Sequence, residues 1–157
     1  MGCVLILSFW NRRNYSPRQE TLSPGLTYIG AAGSYLKTAN EEGTHIAQTM
    51  AGLNDGSSTL NDVRNALTSA KQIEGVGFAD YLDHTNGHIP AELNSLAKDV
   101  DETHRLFGDA TNEFLEYWTD QNTAHIFSGQ RTMERCVKLM NSTISSMTSA
   151  LQSASPR

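Results

Sequence analysis

The stretch IPAELNSLAKDVDETHRLFGDATNEFLEY, residues 89–117, decides the fold. Its apolar or small positions are Ile89, Leu93, Leu96, Val100, Thr103, Phe107, Ala110, Phe114 and Tyr117, alternately four and three apart. That spacing returns to one side of a helix, whereas a strand would need strict alternation of two. Pro90 suits the first turn, where its missing N–H had no partner, and Glu92 is favoured there by the helix dipole. At about 1.5 Å per residue the pattern predicts a helix roughly 45–50 Å long. It should end between Asn122 and Phe127.

Downstream, Met133, Val137, Met140, Ile144, Met147 and Leu151 repeat the alternation and predict a last helix from Ser128 to about Ser153. Its other face carries Ser142, Thr143, Ser145, Ser146, Thr148 and Ser149. Those residues are mediocre helix formers, so this helix should depend on packing. Residues 89–124 hold eight acids and two bases, and the last helix offers Arg131, Arg135 and Lys138 against Glu134. Opposed charge predicts that the third and fourth helices are antiparallel neighbours, although each exposed pair is worth only about 0–1 kcal/mol.

Upstream, Ser23-Pro24 is a good helix start. Ile29, Ala32, Leu36, Ala39, Gly43, Ile46, Met50 and Leu53 form a seam that runs into the turn residues Asn54-Asp55-Gly56. Thr59 and Asp62 match a capping box, in which hydroxyl and carboxylate each take a free backbone N–H. Leu60, Val63, Leu67, Ala70 and Ile73 follow as an apolar face. Gly75 and Gly77 each weaken a helix by about 1 kcal/mol relative to Ala and mark an expected break. Phe78, Tyr81 and Leu82 resume the pattern, and Asn86-Gly87 closes it. The reading is an all-α chain folded as an antiparallel four-helix bundle over residues 23–157.

Residues 1–22 break the pattern. They hold an apolar stretch from Cys3 to Trp10, then Asn11-Arg12-Arg13-Asn14 and Ser16-Pro17. They are expected to be an irregular N-terminal arm outside the core, dispensable for folding. Met1-Gly2-Cys3 resembles the start of dually acylated proteins, but Ile6 stands where that motif has Ser or Thr. The arm's charge is +2 in a chain of −5, so the bundle carries −7.

That acidity argues against nucleic-acid binding. No apolar run approaches the roughly 20 residues of a membrane span, so a membrane is not an expected partner. The compartment stays open: a soluble chain, cytoplasmic or exported without a classical signal peptide. Cys3 and Cys136 form no metal-finger or disulfide framework and are read as thiols.

Candidate chemistry is sparse. There is no G-x-S-x-G, no H-E-x-x-H and no Cys near a His in sequence, so no enzyme and no cofactor are expected. Gly75-Val76-Gly77 lacks the strand, third glycine and lysine of a phosphate loop. Met133, Met140 and Met147 are read as core filler. His84-x-x-x-His88 and His104 with Asp109 partly resemble the hemerythrin family, which implies di-iron held inside a four-helix bundle. However, His45 is followed by Thr49 where that pattern has Glu, and His84 and His88 flank the turn residues Asn86-Gly87. No metal site is therefore expected.

Low charge, abundant Ser, Thr, Asn and Ala, and long amphipathic helices fit a protein that binds through helical surfaces. Between residues 74 and 120 eleven acids stand against Lys98 and Arg105. Asp99, Glu102, Glu113 and Glu116 are the candidate partner-binding residues, suited to a basic protein partner; long helical seams also permit self-association. Residues 89–118, through Ile89-Pro90-Ala91-Glu92-Leu93 and the run from Phe107 to Trp118, resemble the helical WxG proteins of type VII secretion. The resemblance implies a non-enzymatic secreted-assembly protein. It covers about a fifth of the chain, and Trp118 is followed by Thr119-Asp120 instead of x-Gly. The alternative is a metal- or small-ligand-binding bundle that would use Thr103 or the histidines.

Overall fold

The computed structural model describes residues 24–86 and 88–154. The expectations for the arm over residues 1–22, for the Ser23 cap and for Gly87 lie outside them. Helix α1 is Pro24–Asp55, α2 Leu60–Thr85, α3 Asn94–Asp120 and α4 Ala124–Ala154, with a 3-10 turn at Ala91–Leu93 before α3. Short turns make successive helices antiparallel. The most intimate packing is within two hairpins, α1 on α2 and α3 on α4; α2 on α3 and α1 on α4 close the four-helix bundle. No helix among the described residues is long and apolar enough to cross a membrane.

The helix boundaries follow from local chemistry. At the start of α2, Asp62 donates its N–H to the Thr59 hydroxyl at 3.2 Å, and Thr59 donates its N–H to the Asp62 carboxylate at 2.8 Å. This is the expected capping box; the Thr59 hydroxyl also donates to the Asp62 carboxylate at 2.7 Å, and that bond, followed by the one from the Thr59 N–H, holds the Asp62 carboxyl below its ordinary range. Asn86 and Gln121 end α2 and α3 in the left-handed conformation, with φ of 47° and 61°. Each donates its N–H to the carbonyl four residues back and so satisfies a helix-end acceptor.

Two boundary expectations are corrected. Helix α3 stops at Asp120, and α4 begins at Ala124, before Ser128. Asn122 explains the tight turn: its N–H reaches Asp120 Oδ1 at 2.9 Å, and its own Oδ1 accepts the Ala124 N–H at 3.0 Å. Helix α2 also does not break at Gly75 and Gly77. A Cβ at Gly77 would lie 3.2 Å from Thr38 Cγ2, so the missing side chain admits α1 at close range and packing offsets the weak propensity.

The third-helix seam is core over its middle, where Leu96, Val100, Thr103, Phe107, Ala110 and Phe114 are buried; at its ends Leu93 and Tyr117 are only partly buried and Ile89 is exposed. Ile29, Ala32, Leu36, Ala39 and Ile46 are buried on α1, joined by Tyr28 and Tyr35. Elsewhere the buried line differs from the one expected. On α2, Val63, Leu67, Ala70 and Tyr81 are buried as read, but Leu60, Ile73 and Leu82 are exposed, while Ala66, Glu74 and Thr85 are inside. On α4, Val137 is exposed and Cys136 takes the core position. Thr143, expected outside, is fully buried. Its hydroxyl donates to the Leu139 carbonyl at 2.8 Å. Thr103 and Thr111 do the same to Asp99 and Phe107, so all three enter the core with their polar atom bonded to their own helix.

Candidate functional site

Two polar constellations stand out, one buried and one at the surface. The buried one joins three helices. Glu74 of α2 is 2% exposed. Its Oε1 accepts the Tyr35 hydroxyl of α1 at 2.5 Å, and Nδ1 of His104 on α3 lies 2.9 and 3.2 Å from its two oxygens. The His104 ring stacks on Phe78, with ring centroids 3.8 Å apart. Beside this group the Tyr28 and Tyr81 hydroxyls meet at 2.9 Å.

Burial, followed by the Glu74 charge and hydrogen bond, pushes the Tyr35 hydroxyl far up, so Tyr35 remains the donor at any ordinary pH. Burial also pushes the Cys136 thiol up to about 12. A thiol that stays protonated is a poor nucleophile and a poor metal ligand. Chemically the group is a carboxylate satisfied from two sides, and it ties α1, α2 and α3 together at one level.

The surface constellation follows one edge of α3. Asp99, Glu102, Glu113 and Glu116 recur at spacings that place them on one side of the helix. Three of the four have a neighbouring basic side chain. Arg105 donates to both Glu102 oxygens at 2.7 and 2.6 Å and, through Nη1, to Asp109 at 2.5 Å. The Arg105 hydrogen bonds hold the Glu102 carboxyl below its ordinary range. His125, at the start of α4, has Nδ1 3.1 Å from Glu116 Oε2 and 3.5 Å from Glu113 Oε2. Its Nε2 lies 3.0 Å from Asp120 Oδ2. The hydrogen bond that His125 donates to Asp120, with the other carboxylates, outweighs partial desolvation and raises the imidazole's pKa. Between α3 and α4 runs an open groove of about 330 Å³ bordered by Asp109, Glu113, Glu116 and Arg135.

The expected charge pairing of α3 with α4 is thus present through a different residue. His125 supplies it, and among the described residues no ion pair joins Arg131, Arg135 or Lys138 to α3. The histidines of the hemerythrin-like spacing do not converge. His84 and His88 border a small groove near Tyr28, each with Nδ1 against a backbone carbonyl, of Asp80 and Asn86 respectively. His104 turns to Glu74, and Asp109 to Arg105.

Sequence reasoning missed Glu74 and His125. Nothing local marks Glu74 as internal, because its partners are 39 and 30 residues away. For His125 a signal existed: Glu113 and Glu116 share a face three residues apart, and a turn brings His125 back over them.

No protein-family model matches the chain, and no solved structure matches it. Over 96 residues, 58% of its length, it is 35% identical to an ornithine decarboxylase of Caenorhabditis elegans. The chain spans about a fifth (22%) of that relative's length.

Proposed function

We propose that this protein is a non-enzymatic helical interaction protein that holds a basic segment of a protein partner along the outer edge of α3. The observation that carries the reading is the alignment of Asp99, Glu102, Asp109, Glu113 and Glu116 along one edge of α3, the last three on an open groove, with Lys98 and Arg105 as the α3 cations on that edge. The pairs with Arg105 and His125 do not close the surface to a partner. Exposed ion pairs are worth about 0–1 kcal/mol, so an incoming Lys or Arg exchanges with them at little loss. The stripe remains net negative after its internal pairs are counted. Arg105 and Arg135 also line the groove, so it is the acidic edge of α3 as a whole that carries the negative field favouring encounter with a cation. The decarboxylation named for the worm relative is a property of that protein, of which this chain spans a minor part.

The test is reversal of Asp99, Glu102, Glu113 and Glu116 to Lys, followed by pull-down at low and high salt. The stripe reading expects partners that bind the native chain at low salt, leave at high salt and fail to bind the variant. Retention of every partner at unchanged affinity would refute it.

A further inference from the structure

We propose that Glu113, Glu116 and His125 form a surface site for a divalent transition metal of the zinc type at the α3–α4 turn. The three ligand atoms, His125 Nδ1 and the Oε2 atoms of both glutamates, lie within 4.8 Å of one another. The two distances from Nδ1 are 3.1 and 3.5 Å. Donors each about 2.1 Å from one ion stand roughly 3.0–3.4 Å apart, in octahedral or tetrahedral arrangement respectively. The two glutamate oxygens lie within 4.8 Å of each other, so an ion between the three atoms would draw them together by at most about 1–2 Å.

The second nitrogen makes the arrangement more specific than an acidic patch. Nε2 of His125 faces Asp120 Oδ2 at 3.0 Å. A carboxylate there holds a proton on Nε2, so that the proton lost when an ion binds is the one on Nδ1, the nitrogen that faces the two glutamates. A metal-bound histidine is ordinarily oriented in this way, with its outer N–H held by a carboxylate. Simple ion pairing accounts poorly for the same geometry. One imidazolium carries a single charge, yet Glu113, Glu116 and Asp120 all converge on it. An excess of two negative charges remains even with the ring protonated.

Imidazole with two carboxylates suits zinc and its first-row neighbours, whereas Mg²⁺ and Ca²⁺ take all-oxygen sets. His125 is the least exposed of the three, and the half-open glutamates leave room for water in the remaining positions. The site differs from a di-iron centre in place as well as composition, since it sits on the rim of the bundle and uses neither His84, His88 nor His104. It does not rest on the partner reading, because it is measured on the isolated chain.

The probe is Zn²⁺ alone, titrated into the full chain by calorimetry, with Cys3→Ser as the background that removes the competing N-terminal thiol. One equivalent should bind, and Mg²⁺ at the same concentration should not compete. His125→Ala and Glu116→Gln should each weaken binding at least tenfold, and Asp120→Asn by about 10–100-fold through loss of the outer hydrogen bond. His84→Ala with His88→Ala should leave it unchanged. Affinity should fall as the pH drops through the His125 titration, because the Nδ1 proton must leave. Nitrogen-15 spectra of the native chain should show Zn²⁺ moving Nδ1 of His125 and of no other histidine, a readout that does not depend on any variant folding. Absence of stoichiometric binding, equal binding by His125→Ala, or a ring shift located on His84 or His88 would each overturn the proposal.

Discussion

Nδ1 of His104 lies 2.9 Å from Oε1 of Glu74, a carboxylate otherwise enclosed by the bundle. Truncating Glu74 to Ala strands the Tyr35 hydroxyl and the imidazole together. Leaving a buried donor without its acceptor typically costs about 1–3 kcal/mol. Glu74→Gln keeps an acceptor for Tyr35 and should lose clearly less. Urea denaturation of both variants checks the order, and an Ala variant as stable as the native chain would remove Glu74 from any structural role.

Phe107 is fully buried at the middle of α3. Phe107→Ala should lower the unfolding free energy by about 3–5 kcal/mol, as large aromatic truncations in cores do. An unchanged denaturation midpoint would contradict its placement.

Glycines at equivalent helical positions should respond with opposite sign. A Cβ on Gly129 would fall 2.9 Å from the Phe114 ring, whereas one on Gly75 or Gly108 would meet nothing within 4 Å. Gly75→Ala and Gly108→Ala should therefore stabilise by about 0.5–1 kcal/mol, the helical preference for Ala. Gly129→Ala should destabilise despite the same preference, because α3 must move away from α4. Thermal melts of the three variants decide it.

His125 should titrate above its ordinary value, with Asp120 the leading cause. The sign follows from linkage: a group whose pKa is higher in the folded state contributes stability that is fully present below the unfolded value. That stability is lost as pH rises through the folded value. The window lies just above about 6.5. Proton NMR of the ring should show the raised value in the native chain and a lower one in Asp120→Asn; equal values would exclude Asp120 as the cause.

The third helix was the most legible part of the sequence because one spacing ran unbroken through Leu96, Val100, Phe107 and Phe114. The turns were legible where a side chain sets them, as at Thr59 with Asp62. The failures have a common origin. After Met133, a step of four gives Val137 and a step of three gives Cys136; both fit the same helical period, and hydropathy chose the wrong one. After Ala70 the same ambiguity lies between Ile73 and Glu74. Hydropathy favours the isoleucine, and partners on two other helices decide for the glutamate. The surface stripe was visible as charge, but its internal pairing through Arg105 and His125 depended on how two helices meet.

The buried threonines donate only to their own helices, at Asp99, Phe107 and Leu139. Layers of that kind are interchangeable: a helix could slide by a turn past its neighbour and keep every such bond. The group of Tyr35, Glu74 and His104 cannot be moved in this way. Sliding α2 by one turn would leave a carboxylate facing hydrocarbon with no donor, a misalignment penalised by several kcal/mol. With the Tyr28–Tyr81 hydroxyl contact between α1 and α2, that level sets the register and separates the native alignment from its near copies.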